Sequence, residues 1–206
     1  MFISHKHKFI FIKTRKTAGS SIEKFLRDIH VNTSDFVHAG MPPEKLEPVN
    51  MKKTKSRKIE HAGWKLIAKL YPEEWKSYYK FTVERNSWDK VVSTYFWQKE
   101  NGPWKIEQFD DYIRTKSNLF NRNDWNLYTN NNELLVDKVI QYNNLQQDFA
   151  EIADELDIPY NNELEKIRLK SKIRKNNDFR SMYTSETKEI VRESFAAPIN
   201  FFNYIF

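Results

Sequence analysis

Residues 9–23, Phe-Ile-Phe-Ile-Lys-Thr-Arg-Lys-Thr-Ala-Gly-Ser-Ser-Ile-Glu, decide how this chain is read. The apolar run at 9–12 marks a buried strand over about 8–13, and the charges from Lys13 to Lys16 close it. A helix over about 20–30 is expected next. Ser20 followed three residues later by Glu23 matches a capping box, which would start that helix near Ser21. Gly19 is one of only four glycines in 206 residues, so its place in this turn points to a local requirement. Unpaired N–H groups and partial positive charge at a helix N-terminus suit a phosphate- or sulfate-like anion. Lys16 and the hydroxyls of Ser20 and Ser21 stand beside that seat.

The same strand–turn–helix grammar returns downstream. Residues 79–84, Tyr-Lys-Phe-Thr-Val-Glu, are rich in strand formers, and Arg85-Asn86-Ser87 leads into a helix from Trp88 to about Lys99. Trp88, Val91, Val92, Tyr95 and Phe96 give that helix one apolar face. Arg85 thus falls at the C-terminal edge of a strand, where open α/β sheets bind ligands, and Ser93 lies on the following helix. A guanidinium and a hydroxyl are both suited to a phosphate.

Further helices are expected at 62–70 (stopped by Pro72), near 107–116, at 145–156, and at 185–195, opened by Thr184 or Ser185. Short strands are expected within 126–142 around Asn130-Asn131-Asn132, strongest at 139–142, and an aromatic tail runs to Phe206. Residues 31–58 look irregular, and basic runs occupy 52–58 and 166–175. No repeat or linker divides the chain. Alternating strands and helices predict a single α/β domain over 1–206, with a mainly parallel central sheet flanked by helices.

Composition narrows the classes. Aromatic residues make up 15% of the chain, enough to build a core from a modest hydrophobic fraction of 39%, so wholesale disorder is excluded. With no cysteine, disulfides and thiolate metal sites are excluded. No apolar run reaches membrane-spanning length, and the start of the chain reads directly into the first strand, so a soluble, cytoplasmic protein is the expectation. A net charge of +6 calls for an anionic partner.

These residues resemble the sulfotransferases that use 3′-phosphoadenosine 5′-phosphosulfate (PAPS). Lys16-Thr17-Ala18-Gly19-Ser20-Ser21 is similar to the family's 5′-phosphosulfate loop, Pro-Lys-Thr-(Ala/Gly)-Gly-(Thr/Ser)-Ser. Val83 to Ser93 is similar to its 3′-phosphate motif, Val-Arg-Asn-Pro-Trp-Asp-Arg-Leu-Val-Ser, and the two motifs come in the family's order. Weaker similarity runs through 144–149 and the tail 202–206, and the whole resembles compact bacterial and phage-type members related to carbohydrate sulfotransferases. Arg15 and Ser87 stand where the family has proline.

The resemblance implies a P-loop-like three-layer fold and transfer of a sulfuryl group from PAPS to a hydroxyl, more readily of a carbohydrate than of a phenol. It implies that Arg15, Lys16, Thr17, Ala18, Gly19, Ser20 and Ser21 hold the 5′ end of the donor, with Lys16 catalytic. Arg85 and Ser93 would take the 3′-phosphate. A late basic loop with Lys170, Ser171 and Arg174 would close over the nucleotide. His61 is implied as the base, with Glu60 its rival. No metal is implied, because cationic side chains can carry the charge. Two other classes compete. A small-molecule P-loop kinase would need Gly-x-x-x-x-Gly-Lys-(Ser/Thr), and here the lysine precedes a single glycine. A nucleic-acid-binding module would need a recognisable motif or one basic stripe, whereas the basic residues fall in separate loops.

Overall fold

The computed structural model describes residues 1–30, 36–38, 60–102, 108–115, 123–167 and 178–206. The chain divides into two compact units, Met1–Glu84 with Asn126–Leu169, and Arg85–Trp125 with Lys170–Phe206.

The first unit is built on a five-stranded sheet of order β3-β1-β2-β4-β7. Its strands are β1 (Phe2–Ser4), β2 (Phe9–Ile12), β3 (Phe36–His38), β4 (Tyr79–Glu84) and β7 (Lys138–Gln141). β2, β4 and β7 run parallel, with Phe11 opposite Phe81 and Val83 opposite Ile140. β1 pairs antiparallel with β2 and with β3. That antiparallel edge is an addition to the expected parallel sheet. Three residues carry too little periodicity to announce a strand; β1 exists because a tight turn returns it onto β2, with Lys8 at φ 52°. A separate two-stranded ribbon, β5 (Thr129–Asn130) with β6 (Glu133–Leu134), turns at Asn131 and Asn132, both at positive φ as a two-residue hairpin demands.

One face of the sheet presents Phe9, Phe11, Phe81, Val83 and Ile140 to α1 (Gly19–Ile29) and α6 (Leu145–Glu155), which contribute Ile22, Phe25, Leu26, Phe149 and Ile152. Phe81 touches Phe9, Phe11 and Phe149, at ring separations of 5.5, 5.1 and 6.2 Å. The other face is buried as well, at Ile10, Ile12 and Thr82, which is why these strands read as continuous apolar runs. Two short helices precede β4, α2 (Trp64–Leu70) and α3 (Pro72–Ser77). Pro72 does not simply end a helix as expected: Tyr71 closes α2, and Pro72 is the first residue of α3, where its missing N–H costs nothing. α7 (Glu163–Lys166) completes this unit.

The second unit is helical. α4 (Ser87–Asn101), α5 (Phe109–Arg114) and α8 (Ser185–Ser194) bury Trp88, Val91, Val92, Tyr95, Tyr112, Ile113 and Val191 together. Thr184 caps α8 in a reciprocal capping box with Thr187. The expected tail begins with a further helix, α9 (Ala196–Phe201). Among the described residues no helix is long and apolar enough to cross a membrane.

Candidate active site

Between β2 and α1 the backbone takes an uncommon path. Lys16 and Ala18 both lie in the left-handed region, at φ 62° and 63°, a conformation that L-residues adopt at a cost of about 1–2 kcal/mol each. Alternation of this kind turns successive N–H groups toward one side, the geometry of an anion-holding nest. The Ala18 carbonyl accepts from the amides of Ser21 (2.8 Å) and Ile22 (3.2 Å), so α1 begins at Gly19.

That start corrects the expected capping box. Ala18 is the N-cap and has no side chain to cap with, while Ser20 already lies inside the first turn. Glu23 turns to Lys13 instead, at 2.6 Å. The loop is also tethered from below. Thr14 Oγ1 donates to the Val83 carbonyl of β4, and it shares a 2.8 Å hydrogen bond with Thr17 Oγ1. Thr17 is fully buried and its hydroxyl is engaged there. Arg15, Lys16 and Ser20 are half-buried, and Ser21 is buried.

Lys13 lies outside both sequence motifs. Its side chain is 5% exposed, and its ammonium lies 2.6 Å from both Glu23 Oε2 and Glu60 Oε1. The sequence signal was a lysine closing an apolar run, which equally describes a solvated strand end. Its backbone carbonyl receives a 2.8 Å hydrogen bond from His61 Nδ1. A carbonyl can only accept, so Nδ1 carries a proton, and in the neutral form of the ring the lone pair is then on Nε2. Nε2 lies 4.0 Å from Glu60 Oε1.

Burial pushes the Glu60 carboxyl up, but the hydrogen bond and charge of Lys13, with His61 and the terminal ammonium, outweigh it and hold Glu60 below the usual carboxylate range. A carboxylate so stabilised is a weak proton acceptor. The Met1 amine donates to the Glu60 carbonyl at 2.6 Å, and burial lowers it to about 5 against the pull of Glu23 and Glu60.

In the second unit, Arg85 follows the last residue of β4 and is 8% exposed. Its Nε donates to Asp89 Oδ2 at 2.6 Å, which fixes the plane of the guanidinium. Asp89 and Ser93 are one helical turn apart on α4, and Ser93 is half-buried. Asn86 holds the turn into α4: its Oδ1 caps the helix by accepting from the Trp88 amide (3.1 Å) and the Asp89 amide (3.5 Å), and its Nδ2 donates to the Ile205 carbonyl (2.8 Å). The turn is therefore held despite Ser87. Lys170, Ser171 and Arg174, with the basic runs at 52–58 and most of 166–175, lie outside the described residues. Among the described residues no group of three or more His, Asp or Glu could hold a metal ion.

No family profile matches the chain. An uncharacterized protein of Archaeoglobus fulgidus is 28% identical over 101 residues, spanning 47% of this chain and 82% of that relative. The crystal structure of mouse sulfotransferase SULT7A1 complexed with PAP is similar to it with a TM-score of 0.55, over 96% of this chain and 86% of that one, at 13% identity. The chain has the P-loop-like α/β fold of a sulfotransferase: a central sheet flanked by helices.

Proposed function

We propose that this chain is a PAPS-dependent sulfotransferase acting on a hydroxyl, with a carbohydrate as the acceptor class, and that residues 1–206 serve as one catalytic domain. The observation that carries the reading is the loop between β2 and α1. Its two left-handed residues and the start of α1 at Gly19 form an anion seat at the position where the family resemblance puts the 5′-phosphosulfate loop. The fold shared with a PAP-bound sulfotransferase supports the same nucleotide.

In this mechanism the acceptor oxygen attacks sulfur in line with the bond to the 5′-phosphate. The new S–O bond forms as the old one breaks, and the bridging oxygen keeps the electron pair and leaves with 3′,5′-ADP. His61 Nε2 takes the acceptor's proton, and Lys16 neutralises the charge growing on the departing phosphate oxygen. Loop amides and the Ser20 and Ser21 hydroxyls hold the 5′-phosphate. Arg85 and Ser93 take the 3′-phosphate, with Asp89 holding the guanidinium in plane. Arg15 adds positive charge beside the loop.

The test is thermal unfolding of the purified protein with 3′,5′-ADP, 5′-AMP and magnesium–ATP. A ligand at a hundred times its Kd adds about 2.7 kcal/mol to stability. A clear rise in Tm with 3′,5′-ADP, a smaller one with 5′-AMP and none with ATP is expected. Stabilisation by magnesium–ATP alone would return the chain to the kinase class.

A further inference from the structure

We propose that Lys13 is a positioning residue for the base: clamped between Glu23 and Glu60, it aims His61 and moderates how tightly Nε2 holds a proton. This rests on the reading of His61 as the base. Lys13 reaches His61 by two routes. Its carbonyl accepts a 2.8 Å hydrogen bond from Nδ1–H, which selects the tautomer with the lone pair on Nε2. Its ammonium holds the Glu60 carboxylate at 2.6 Å, and the same carboxylate oxygen lies 4.0 Å from Nε2.

A lysine this buried, with its charge engaged by two carboxylates of its own unit, is occupied as an internal counter-ion and is not a ligand for the donor. Glu60 is the anion beside Nε2, and its charge favours the imidazolium that forms when a proton is taken. Among the described residues, the ionisable groups linked to His61 include Glu60 directly and, through Glu60 and Lys13, Glu23 and the Met1 amine. Lys13 tempers the pull of Glu60, so its removal and the removal of Glu60 must push His61 in opposite directions.

The experiment is an NMR titration of the His61 ring nitrogens in the ligand-free protein, for the wild type, Lys13→Met, Lys13→Arg and Glu60→Gln. Wild type is expected to show the Nδ1–H tautomer. Glu60→Gln is expected to lower the His61 midpoint by about one pH unit, the usual reach of a carboxylate at this distance. Lys13→Met is expected to raise it, and Lys13→Arg to bring it back. If Lys13→Met fails to fold, Glu60→Gln and Lys13→Arg still decide the matter: a lowered midpoint in the first with a wild-type midpoint in the second supports the proposal. Unchanged midpoints in Lys13→Met and Glu60→Gln, or an Nε2–H tautomer in the wild type, would overturn it. Because no nucleotide is present, this outcome is separate from the 3′,5′-ADP result: loss of nucleotide stabilisation with opposite midpoint shifts would retire the sulfotransferase reading and leave the Lys13 linkage standing.

Discussion

Lys13 and Gly19 approach so closely that a methyl group on Gly19 would sit 2.8 Å from Lys13 Cγ and 3.3 Å from the Thr14 carbonyl oxygen. The glycine is therefore required for space, since the left-handed residues of this loop are Lys16 and Ala18. Gly19→Ala must displace the stem of a lysine whose far end is pinned by two carboxylates. A loss of about 1–3 kcal/mol is expected, the usual cost of overpacking, read as a lower urea midpoint with an unchanged slope. Wild-type stability would mean the Lys13 stem moves freely.

Ala18 offers a complementary test of backbone conformation. At φ 63° a β-branched residue is a severe misfit, whereas glycine is at ease. Ala18→Val should therefore destabilise by about 1–3 kcal/mol, while Ala18→Gly should be close to neutral. Calorimetry of the two variants checks the order, and equal melting temperatures would contradict the left-handed cap.

Lys16 and Arg85 separate rate from recognition. Lys16 is half-buried on the loop, and Lys16→Ala should nearly abolish sulfuryl transfer from PAPS while leaving the unfolding transition unchanged. Arg85→Ala should cost about 1.5–3 kcal/mol of binding to 3′,5′-ADP, the range for a charge-assisted hydrogen bond, and little for 5′-AMP. Isothermal titration of both nucleotides measures this. An equal loss for the two would remove Arg85 from the 3′-phosphate.

Lys90 and Asp124 form an ion pair of 3.2 Å in the second unit, with side chains 2% and 0% exposed. Removing one partner takes the counter-ion from a buried charge, so Lys90→Met should cost about 3–5 kcal/mol. Replacing both, as Lys90→Met with Asp124→Leu, should recover most of it. A single variant as stable as the wild type would show that the pair contributes nothing.

Glu60 predicts one part of the acid response. Its carboxyl titrates below the ordinary 4.5 in the folded protein, so the unfolded chain binds the proton more tightly. The stability it contributes is present above that ordinary value and is lost as pH falls through the lower folded one. Glu60→Gln should flatten the stability-against-pH curve on its acid side and leave the neutral region parallel to wild type. Chemical denaturation at a series of pH values reads this directly.

Much of the architecture was legible because it is local. The strand at Tyr79–Glu84 and the helices at Gly19–Ile29, Ser87–Asn101 and Leu145–Glu155 follow from apolar periodicity and turn residues a few positions away. Both strand–turn–helix junctions could be named for the same reason, together with Lys16 and Arg85. What the sequence by itself determined, then, was which segments form and where two candidate anion-binding turns lie. Tertiary structure decided what Lys13 and Glu23 do. Glu23 stands where a capping residue would, yet it pairs with Lys13 ten residues back; Glu60 and His61 reach the same lysine across 47 and 48 residues. The antiparallel β1 edge and the crowding at Gly19 are of the same kind. No periodicity encodes such contacts, because a buried charge takes its partner from whatever the folded sheet and helices bring within reach.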